Sequence, residues 1–198
     1  GYANVTLTLK TSHLPPGDVS DEQLDAIAEL ADRYSFGQAR TTHNQNMVLT
    51  DVALDRLFDL WQALVPLHLA TPNRGTINDI ICCPGGDFCA LANAKSIPVA
   101  QAIQNRFEDL DYLYDLGPLD LNISGCMNAC GHHHVGHIGI LGVDKKGAEF
   151  YQLSIGGSGR DDAAIGKILG PSISREAIVP AVEAVIEVYI NQRQSDEP

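Results

Sequence analysis

Five cysteines lie in a short central part of the chain, and their spacing could support metal chemistry. Cys83 and Cys89 are separated by five residues, Cys126 and Cys130 are separated by three, and Cys82 stands beside the first pair. An odd number of clustered cysteines in a chain that does not look secreted points to metal binding or catalysis and not to disulfides. The two pairs therefore predict two loops whose four thiolates converge on one centre.

The spacing of the pairs also indicates what kind of centre this is. Structural zinc usually takes closely spaced cysteines in tight turns, and spacings of five and three residues suit that geometry poorly. A [4Fe–4S] cluster is larger and is held by four cysteine thiolates. Small or turn-forming residues flank the cysteines and allow close backbone approach, with N–H groups directed at sulfur: Pro84, Gly85, Gly86, Gly125 and Gly131. A zinc-stabilised structural domain and a haem-free iron–sulfur electron-transfer module remain as alternatives.

Composition narrows the partners that the chain can have. The 198 residues carry a formal net charge of −12 and are 44% hydrophobic, which is typical of a globular protein of one ordinary or two small domains. Such an acidic surface repels phosphate, so neither a nucleic acid nor a membrane partner is expected. The sequence contains no apolar run of about 18 residues. It also lacks the pattern of a signal peptide, so we expect a cytoplasmic protein, with Gly1 as an artificial boundary or a cleavage point.

The first 70 residues predict the element order β-α-β-β-α, which suggests a ferredoxin-like α+β unit. The predicted strands cover 5–10, 38–42 and 47–50. The first helix covers 20–34, with Ser20 and Gln23 at capping-box spacing, and Asp51 is expected to cap a second helix that Pro66 ends. The apolar stripes of the two helices are predicted as Leu24, Ile27, Ala28, Ala31 and Tyr34, and as Leu54, Leu57, Phe58, Trp61 and Leu64, with Trp61 in the core.

A boundary is predicted at residues 71–75 (TPNRG), so that the second domain covers 71–198 and has a mixed α/β fold. The expected elements are a strand at 76–81, a turn at 83–86, one or two helical turns at 88–95, a helix at 98–107, a strand at 119–123, a hairpin of 137–143 with 149–155, a closing helix at 174–192 and a solvated tail at 194–198. The apolar face of the closing helix is predicted as Ile178, Val182, Val185, Ile186 and Tyr189. The fold class is therefore α+β.

The cysteine segments resemble those of a known family. Residues 81–89 (ICCPGGDFC) and 122–131 (NISGCMNACG) are similar to the signature of the nitrite/sulfite reductase haemoproteins, which is Cys-x5-Cys followed, after a long gap, by Gly-Cys-x-Asn-x-Cys-Gly. Residues 40–46 (RTTHNQN) resemble an Arg-x-Thr-x-x-Gln segment in the ferredoxin-like half-domain of this family, and 154–157 (SIGG) resemble its Gly-Gly strand end. The likeness covers about residues 3–192 and corresponds to the C-terminal half of the family's two related half-modules.

The resemblance implies a [4Fe–4S] cluster coupled to sirohaem. The cluster ligands would be Cys83, Cys89, Cys126 and Cys130, with the Cys130 thiolate also bridging to the sirohaem iron. Six further residues would contact the cofactors: Gln45, Asn46, Arg74, Asn128, Gly156 and Gly157. The cofactors carry the electron chemistry in such a protein, while the chain orients them.

The resemblance further implies a reductase that converts sulfite to sulfide or nitrite to ammonia with six electrons. The expected partners are the small oxyanion, the N-terminal half-module of the same reductase and an electron-donor protein. The family's anion-binding Arg and Lys side chains belong mainly to the first half, so no catalytic residue is assigned in this chain. Alone, the chain is expected to be nearly inactive.

Several of these residues have a simpler interpretation. Cys82 is expected to be a buried thiol outside the ligand set, with secondary ligation as the alternative. Four histidines are expected to pack and to form hydrogen bonds behind the cysteines, with sirohaem contact or metal binding as alternatives: His132, His133, His134 and His137. Gln45 and Asn46 could serve only their turn, Arg74 only the surface, and Gly156 and Gly157 only a strand end. A solvated acidic face is expected at Asp111, Asp115 and Asp120.

Overall fold

The computed structural model describes residues 1–194, and the chain divides into two compact units. The first unit is Gly1–Arg74 and the second begins at Gly75. Throughout the described residues, no helix has the length and apolar character needed to span a bilayer.

The first unit has the predicted order β-α-β-β-α and the ferredoxin-like fold. Its strands are β1 (Tyr2–Leu7), β2 (Ala39–Thr41) and β3 (Met47–Ala53), and its helices are α1 (Asp21–Tyr34) and α2 (Leu57–Leu64), with 3-10 turns at Leu54–Arg56 and Val65–Leu67. The strands form an antiparallel sheet in the order β1-β3-β2. One apolar core joins this sheet to both helices.

Helix α1 begins as predicted but presents a slightly different face to the core. The Ser20 hydroxyl accepts the Gln23 N–H and the Gln23 side chain accepts the Ser20 N–H, so both halves of the capping box are present. The buried side chains are Ile27, Leu30, Ala31 and Tyr34. Of the predicted stripe, Leu24 and Ala28 are exposed. Ala28 follows Ile27 and therefore points about 100° away from it, and Leu24 belongs to the first turn of the helix, which the core does not cover.

The predictions for α2 are wrong in two respects. Asp51 does not cap the helix but lies within β3 at a φ of 56°, because β3 continues to Ala53, which pairs with Tyr2. Trp61 is 51% exposed and stacks on Phe58, which is also exposed. The helix buries Leu60 and Leu64 instead, and a residue adjacent to Leu60 points about 100° away from it.

The second unit contains a five-stranded sheet in the order β4-β5-β6-β7-β8. Its strands are β4 (Ile81–Cys82), β5 (Leu121–Ser124), β6 (Ile138–Lys145), β7 (Ala148–Ile155) and β8 (Lys167–Ile168), and its helices are α3 (Ile97–Arg106), α4 (Leu110–Leu116) and α5 (Ile178–Gln192). The pairs β4–β5 and β5–β6 are parallel, whereas β6–β7 and β7–β8 are antiparallel. The core contains side chains from all three helices and from β4 to β7.

The hairpin and the closing helix of this unit agree with the predictions. Strands β6 and β7 pair along their whole length, and Lys146 and Gly147 both have positive φ, as a two-residue hairpin turn requires. Helix α5 follows a 3-10 turn at Arg175–Ala177. All five predicted face residues of α5 belong to the core or pack against it. Apart from Gln194, the predicted tail lies outside the described residues.

Three other predictions for the second unit need correction. Only Ile81 of the predicted strand at 76–81 pairs in the sheet, and residues 88–95 form turns in place of helix. Helix α4 was not predicted. The Asp109 carboxylate caps it by accepting two backbone N–H groups, while Leu113 and Leu116 are buried. Within the predicted acidic face, Asp111 and Asp115 are exposed, but Asp120 is half-buried and pairs with Arg160 at 3.2 Å.

Candidate metal centre

Parallel pairing brings the two cysteine loops to the same edge of the sheet. Ile81 pairs with Asn122, and Cys82 pairs with Ile123. Cys83 follows β4 directly, and its N–H donates to the Ile123 carbonyl at 3.1 Å. Because the carboxyl ends of neighbouring parallel strands meet at one edge, the loop after Cys83 and the loop after β5 begin side by side.

The first loop turns tightly between its two cysteines. A 3-10 turn covers Gly85–Asp87, and the Cys89 N–H donates to the Gly85 carbonyl at 2.9 Å. Gly85 has a φ of 59°, and a Cβ there would lie 2.5 Å from the Ser96 nitrogen. Only glycine satisfies both demands. The Cys83 side chain is buried and that of Cys89 is half-buried.

The second loop is equally compact. The Ala129 N–H donates to the Cys126 carbonyl at 3.1 Å, with Ala129 at a φ of 55°. The Gly131 N–H donates to the Ser124 hydroxyl at 3.1 Å. Cys126 is buried and Cys130 is exposed, so the two cysteines of this loop differ in their access to solvent.

Residues 93–96, here called the clamp segment, connect the two loops by backbone hydrogen bonds. The N–H groups of Asn93 and Ala94 donate to the Gly125 carbonyl at 2.9 and 3.1 Å, and the Ala94 carbonyl accepts the Gly86 N–H at 2.9 Å. The clamp segment therefore holds the start of the second loop against the turn of the first.

Tyr151 of β7 holds the clamp segment by a side-chain hydrogen bond. Its side chain is fully buried, and its hydroxyl donates to the Lys95 carbonyl at 2.8 Å. Burial, followed by the nearby Glu149 carboxylate, raises the pKa of Tyr151 to about 12. The hydroxyl accordingly remains protonated, and can donate, at neutral pH.

The surroundings of the Cys83 sulfur fit a metal-bound thiolate. The Gly125 N–H donates to Cys83 Sγ at 3.0 Å, and the Ser96 hydroxyl oxygen lies 3.6 Å from the same sulfur. A thiolate is stabilised by donors of this kind. The glycines form a cradle that a side chain would fill: a Cβ on Gly125 would lie 2.7 Å from the Ala94 carbonyl oxygen. Four thiols on loops of this kind match the donor set of a [4Fe–4S] cluster.

The two cysteine loops carry exposed apolar side chains. Three large side chains on or next to the two loops are 78%, 73% and 83% exposed: Phe88, Leu91 and Met127. In the part of the chain that the structure describes, no three His, Cys, Asp or Glu side chains are arranged to hold a single metal ion.

Two of the predicted cofactor residues of the first unit, Gln45 and Asn46, have local partners. The Asn46 side-chain oxygen accepts the Leu9 N–H at 2.9 Å, and the Gln45 side-chain oxygen accepts a hydrogen bond from the Lys10 ammonium at 3.3 Å. These contacts stabilise the turn before β3. Arg74, the last residue of the unit, is exposed. Their contact with a cofactor stays a prediction, as does that of Asn128, which is exposed between the cysteines of the second loop.

Gly156 and Gly157 lie at the edge of the sheet formed by the amino ends of β5 and β6, whereas the cysteines lie at the edge formed by the carboxyl ends. Ile155 pairs with Ile138 at the start of β6, whereas the cysteine loops leave the far ends of β4 and β5. The four residues of β5 separate these edges by about 10 Å. A Cβ on Gly157 would lie 2.5 Å from the Gly136 carbonyl oxygen, so this position is closely packed. An apolar cavity of about 780 Å³ opens beside Gly156.

The histidines occupy the chain segment that returns across the sheet from Cys130 to β6. His137 Nδ1 accepts the Asp120 N–H at 3.0 Å. Burial, followed by the neighbouring His134, lowers the pKa of His133, and its buried Nδ1 has no hydrogen-bond partner among residues 1–194. His132 is exposed.

The sequence did not single out the residues that join the loops. Ser96 precedes Ile97 and Pro98, a pattern that indicates an ordinary helix cap. Tyr151 is one of several alternating residues in a strand. Neither position carries a signal that points toward sulfur, because both act through contacts with residues distant in sequence.

The close packing around Gly131 predicts that one added methyl group at this position lowers the stability of the chain. A Cβ on Gly131 would lie 2.0 Å from the Ile123 carbonyl oxygen, so Gly131→Ala should displace the second loop from β5. We expect a loss of about 1–3 kcal/mol in the free energy of unfolding, measured by urea titration. Gly170→Ala is the matched control, since a Cβ there meets no atom within 4 Å. Equal stability of Gly131→Ala and the unsubstituted chain would contradict the close packing described here.

Comparison with known proteins identifies the class to which this fold and site belong. The profile of the nitrite/sulfite reductase ferredoxin-like half domain matches residues 11–67, and that of the nitrite and sulphite reductase 4Fe-4S domain matches residues 74–197. The chain belongs to the nitrite and sulfite reductase family. This result confirms the predicted family, the α+β fold and the cofactors of the family, a [4Fe–4S] cluster and sirohaem.

Individual relatives agree with the family match. The chain is 28% identical over 191 residues to sulfite reductase [ferredoxin] 2 of Mycolicibacterium paratuberculosis, covering 91% of this chain and 34% of the relative. It is 27% identical over 200 residues to the chloroplastic ferredoxin–nitrite reductase of Zea mays, covering 93% and 34%. The chain thus spans about a third of the length of the curated relatives it matches.

Solved structures show the same architecture. The Mycobacterium tuberculosis NirA protein superimposes with a TM-score of 0.82 at 26% identity, over 100% of this chain and 37% of that one. Dissimilatory sulfite reductase I superimposes with a TM-score of 0.73 at 13% identity, over 98% of this chain and 63% of that one. The second likeness concerns the fold alone.

Proposed function

We propose that this chain is the cluster-bearing half of a sulfite or nitrite reductase, which reduces sulfite to sulfide or nitrite to ammonia with six electrons. In this proposal Cys83, Cys89, Cys126 and Cys130 hold one [4Fe–4S] cluster. The observation that carries it is the pair of cysteine loops at one sheet edge, joined by the clamp segment, with an N–H donor 3.0 Å from Cys83 Sγ.

Each part of the loops has a task in this proposal. The glycines keep side chains out of the space next to sulfur, and the Gly125 N–H stabilises the negative charge of the Cys83 thiolate. Cys130 is exposed, and that position suits a thiolate that also reaches the iron of an adjacent sirohaem. When bound, the cluster and the sirohaem supply electrons one at a time to the oxyanion.

We propose that the exposed apolar side chains of the two cysteine loops face the cofactors. Phe88, Leu91 and Met127 are exposed on or next to the two cysteine loops and would exclude water from a ring system placed against them. Removal of water strengthens every electrostatic contact at the site. We also propose that Gln45, Asn46, Arg74, Asn128, Gly156 and Gly157 contact the cofactors.

The comparison with the relatives, of whose length this chain spans about a third, suggests two partners. We propose an N-terminal half-module and an electron-donor protein, and a ferredoxin is the candidate donor because the names of several relatives include it. The proposed domains are 1–70 and 71–198, supported by the two compact units. The location in the cytoplasm stays a prediction.

One anaerobic absorption spectrum, combined with iron and sulfide analysis, tests this function. We expect about four iron and four sulfide per chain after reconstitution, as a [4Fe–4S] cluster contains, and a strong Soret band once sirohaem is supplied. A brown shoulder without a Soret band would favour the haem-free electron-transfer module. A colourless chain that binds zinc and no iron would overturn the proposal in favour of a structural domain.

A further inference from the structure

Ser96 stands at the start of α3 but does not cap it. It occupies the position before Ile97, where a serine hydroxyl ordinarily accepts a backbone N–H of the first helical turn. In this structure the Ser96 side chain makes no such bond. The residue is fully buried, so its hydroxyl needs a partner inside the protein.

That partner is the sulfur of Cys83. The Ser96 hydroxyl oxygen lies 3.6 Å from Cys83 Sγ, within the range of hydrogen bonds to sulfur, and in a free thiol either atom could be the donor. Metal binding removes this ambiguity, because a ligated thiolate has no proton to give. With the cluster in place, only the serine can donate.

The position of this hydroxyl is determined by several independent contacts. The Ser96 carbonyl accepts the Ala100 N–H at 3.0 Å in the first turn of α3, and the preceding carbonyl, that of Lys95, accepts the Tyr151 hydroxyl. Cβ atoms on Gly85 and Gly125 would lie 2.6 and 3.1 Å from the Ser96 hydroxyl oxygen. The two cysteine loops therefore leave room for this hydroxyl only by being glycine at both positions.

We propose that Ser96 is a positioning residue that raises the reduction potential of the cluster by donating a hydrogen bond to the Cys83 thiolate. This inference rests on the proposed function. Together with the Gly125 N–H at 3.0 Å, it gives one thiolate two donors. Reduction adds one electron, and so one negative charge, to the cluster. Donors to sulfur stabilise the reduced form more than the oxidised form, and such bonds are one of the determinants of cluster potentials.

The step itself involves the electron alone. The cluster gains one electron from the reductant used in the titration, such as dithionite, and the Ser96 proton stays on its oxygen. No bond to the chain forms or breaks. The effect of Ser96 is therefore a shift of an equilibrium, which a potential measures directly.

The test compares the midpoint potentials of reconstituted wild-type, Ser96→Ala and Ser96→Thr chains in a titration followed by electron paramagnetic resonance. We expect Ser96→Ala to retain its iron and to become about tenfold harder to reduce, which corresponds to 59 mV for one electron. Ser96→Thr keeps the hydroxyl and should return the potential toward the wild-type value. Ser35→Ala is the control for losing a buried serine hydroxyl, since the Ser35 hydroxyl lies 2.6 Å from the Gln38 and Thr50 carbonyl oxygens, both in the first unit.

The possible outcomes separate this inference from the function on which it rests. A wild-type chain that takes up no cluster overturns the proposed function and the inference with it. A Ser96→Ala chain with full iron content and an unchanged potential overturns the role of Ser96 alone. A Ser35→Ala chain that shifts the potential as much as Ser96→Ala would also overturn it.

A measurement on the wild-type chain applies if Ser96→Ala does not retain its cluster. Electron–nuclear double resonance of the reduced cluster, recorded before and after brief transfer into D2O, should show a coupled hydroxyl proton that exchanges early. The buried Gly125 amide proton should exchange later, because backbone protons in stable loops exchange slowly. Absence of the early-exchanging proton would overturn the proposal.

Discussion

Replacing Cys83 by serine should abolish binding of the cluster, whereas replacing Cys82 by serine should leave the iron content of the reconstituted chain unchanged. The two neighbours have different surroundings. Cys83 Sγ accepts the Gly125 N–H at the edge of the sheet. Cys82 is 4% exposed, belongs to the apolar core, and its thiol donates to the Cys83 carbonyl at 3.2 Å. Iron and sulfide analysis after anaerobic reconstitution measures the difference.

Serine replacements of Cys89, Cys126 and Cys130 complete this comparison. Each should lose iron as Cys83→Ser does, because all four thiolates are proposed to hold one cluster. Cys82→Ala serves as a second control, since it removes the thiol without placing a hydroxyl in the core. Equal and complete loss of iron in Cys82→Ser and Cys83→Ser would show that the ligand assignment is wrong.

The second large effect concerns catalysis. The cofactor-loaded chain, assayed without a partner chain, should reduce sulfite and nitrite at less than about one hundredth of the rate of a full-length relative. An oxyanion reduced at iron needs oriented cationic donors, and loss of even one such donor commonly costs a factor of 10² to 10³. Residues 83–104 contain a single Lys or Arg, and residues 117–131 contain none. That residue, Lys95, lies 3.4 Å from the Asp87 carboxylate.

Turnover with reduced methyl viologen as electron donor is the decisive measurement. The full-length relative, loaded with the same cofactors, is the control for the assay. Addition of a separate N-terminal half-module should restore turnover, because that half would supply the cationic groups. Pairing of two copies about a two-fold axis should not, since a second copy brings the same net charge of −12. Turnover close to that of the relative without any partner would place the anion site in this chain.

Local sequence patterns were sufficient to predict many elements of this protein. The capping box of Ser20 and Gln23 and the turn at Lys146 and Gly147 depend on residues within one turn of each other, so the sequence alone predicts them. The cysteine pairs are likewise a feature that local sequence reveals. Their spacing and the glycines around them already point to a centre held by two loops, before any contact between the loops is known.

Other features depended on which elements pack together. Trp61 has the helical spacing of a core residue, yet α2 buries Leu60 and Leu64 and leaves Trp61 half-exposed, because the sheet beneath the helix decides which face is covered. Residues 88–95 form turns because their N–H and carbonyl groups bond to the other cysteine loop and to their own loop in place of a helix.

The same distinction applies within the candidate site. The sequence determined which residue types could hold a cluster, since thiol chemistry and spacing are properties of the chain itself. Only the tertiary structure decided that Ser96 and Gly125 lie beside Cys83 and that Tyr151 supports the clamp segment. These contacts join positions that are 13 to 56 residues apart, and no local pattern encodes a hydrogen bond between partners that distant.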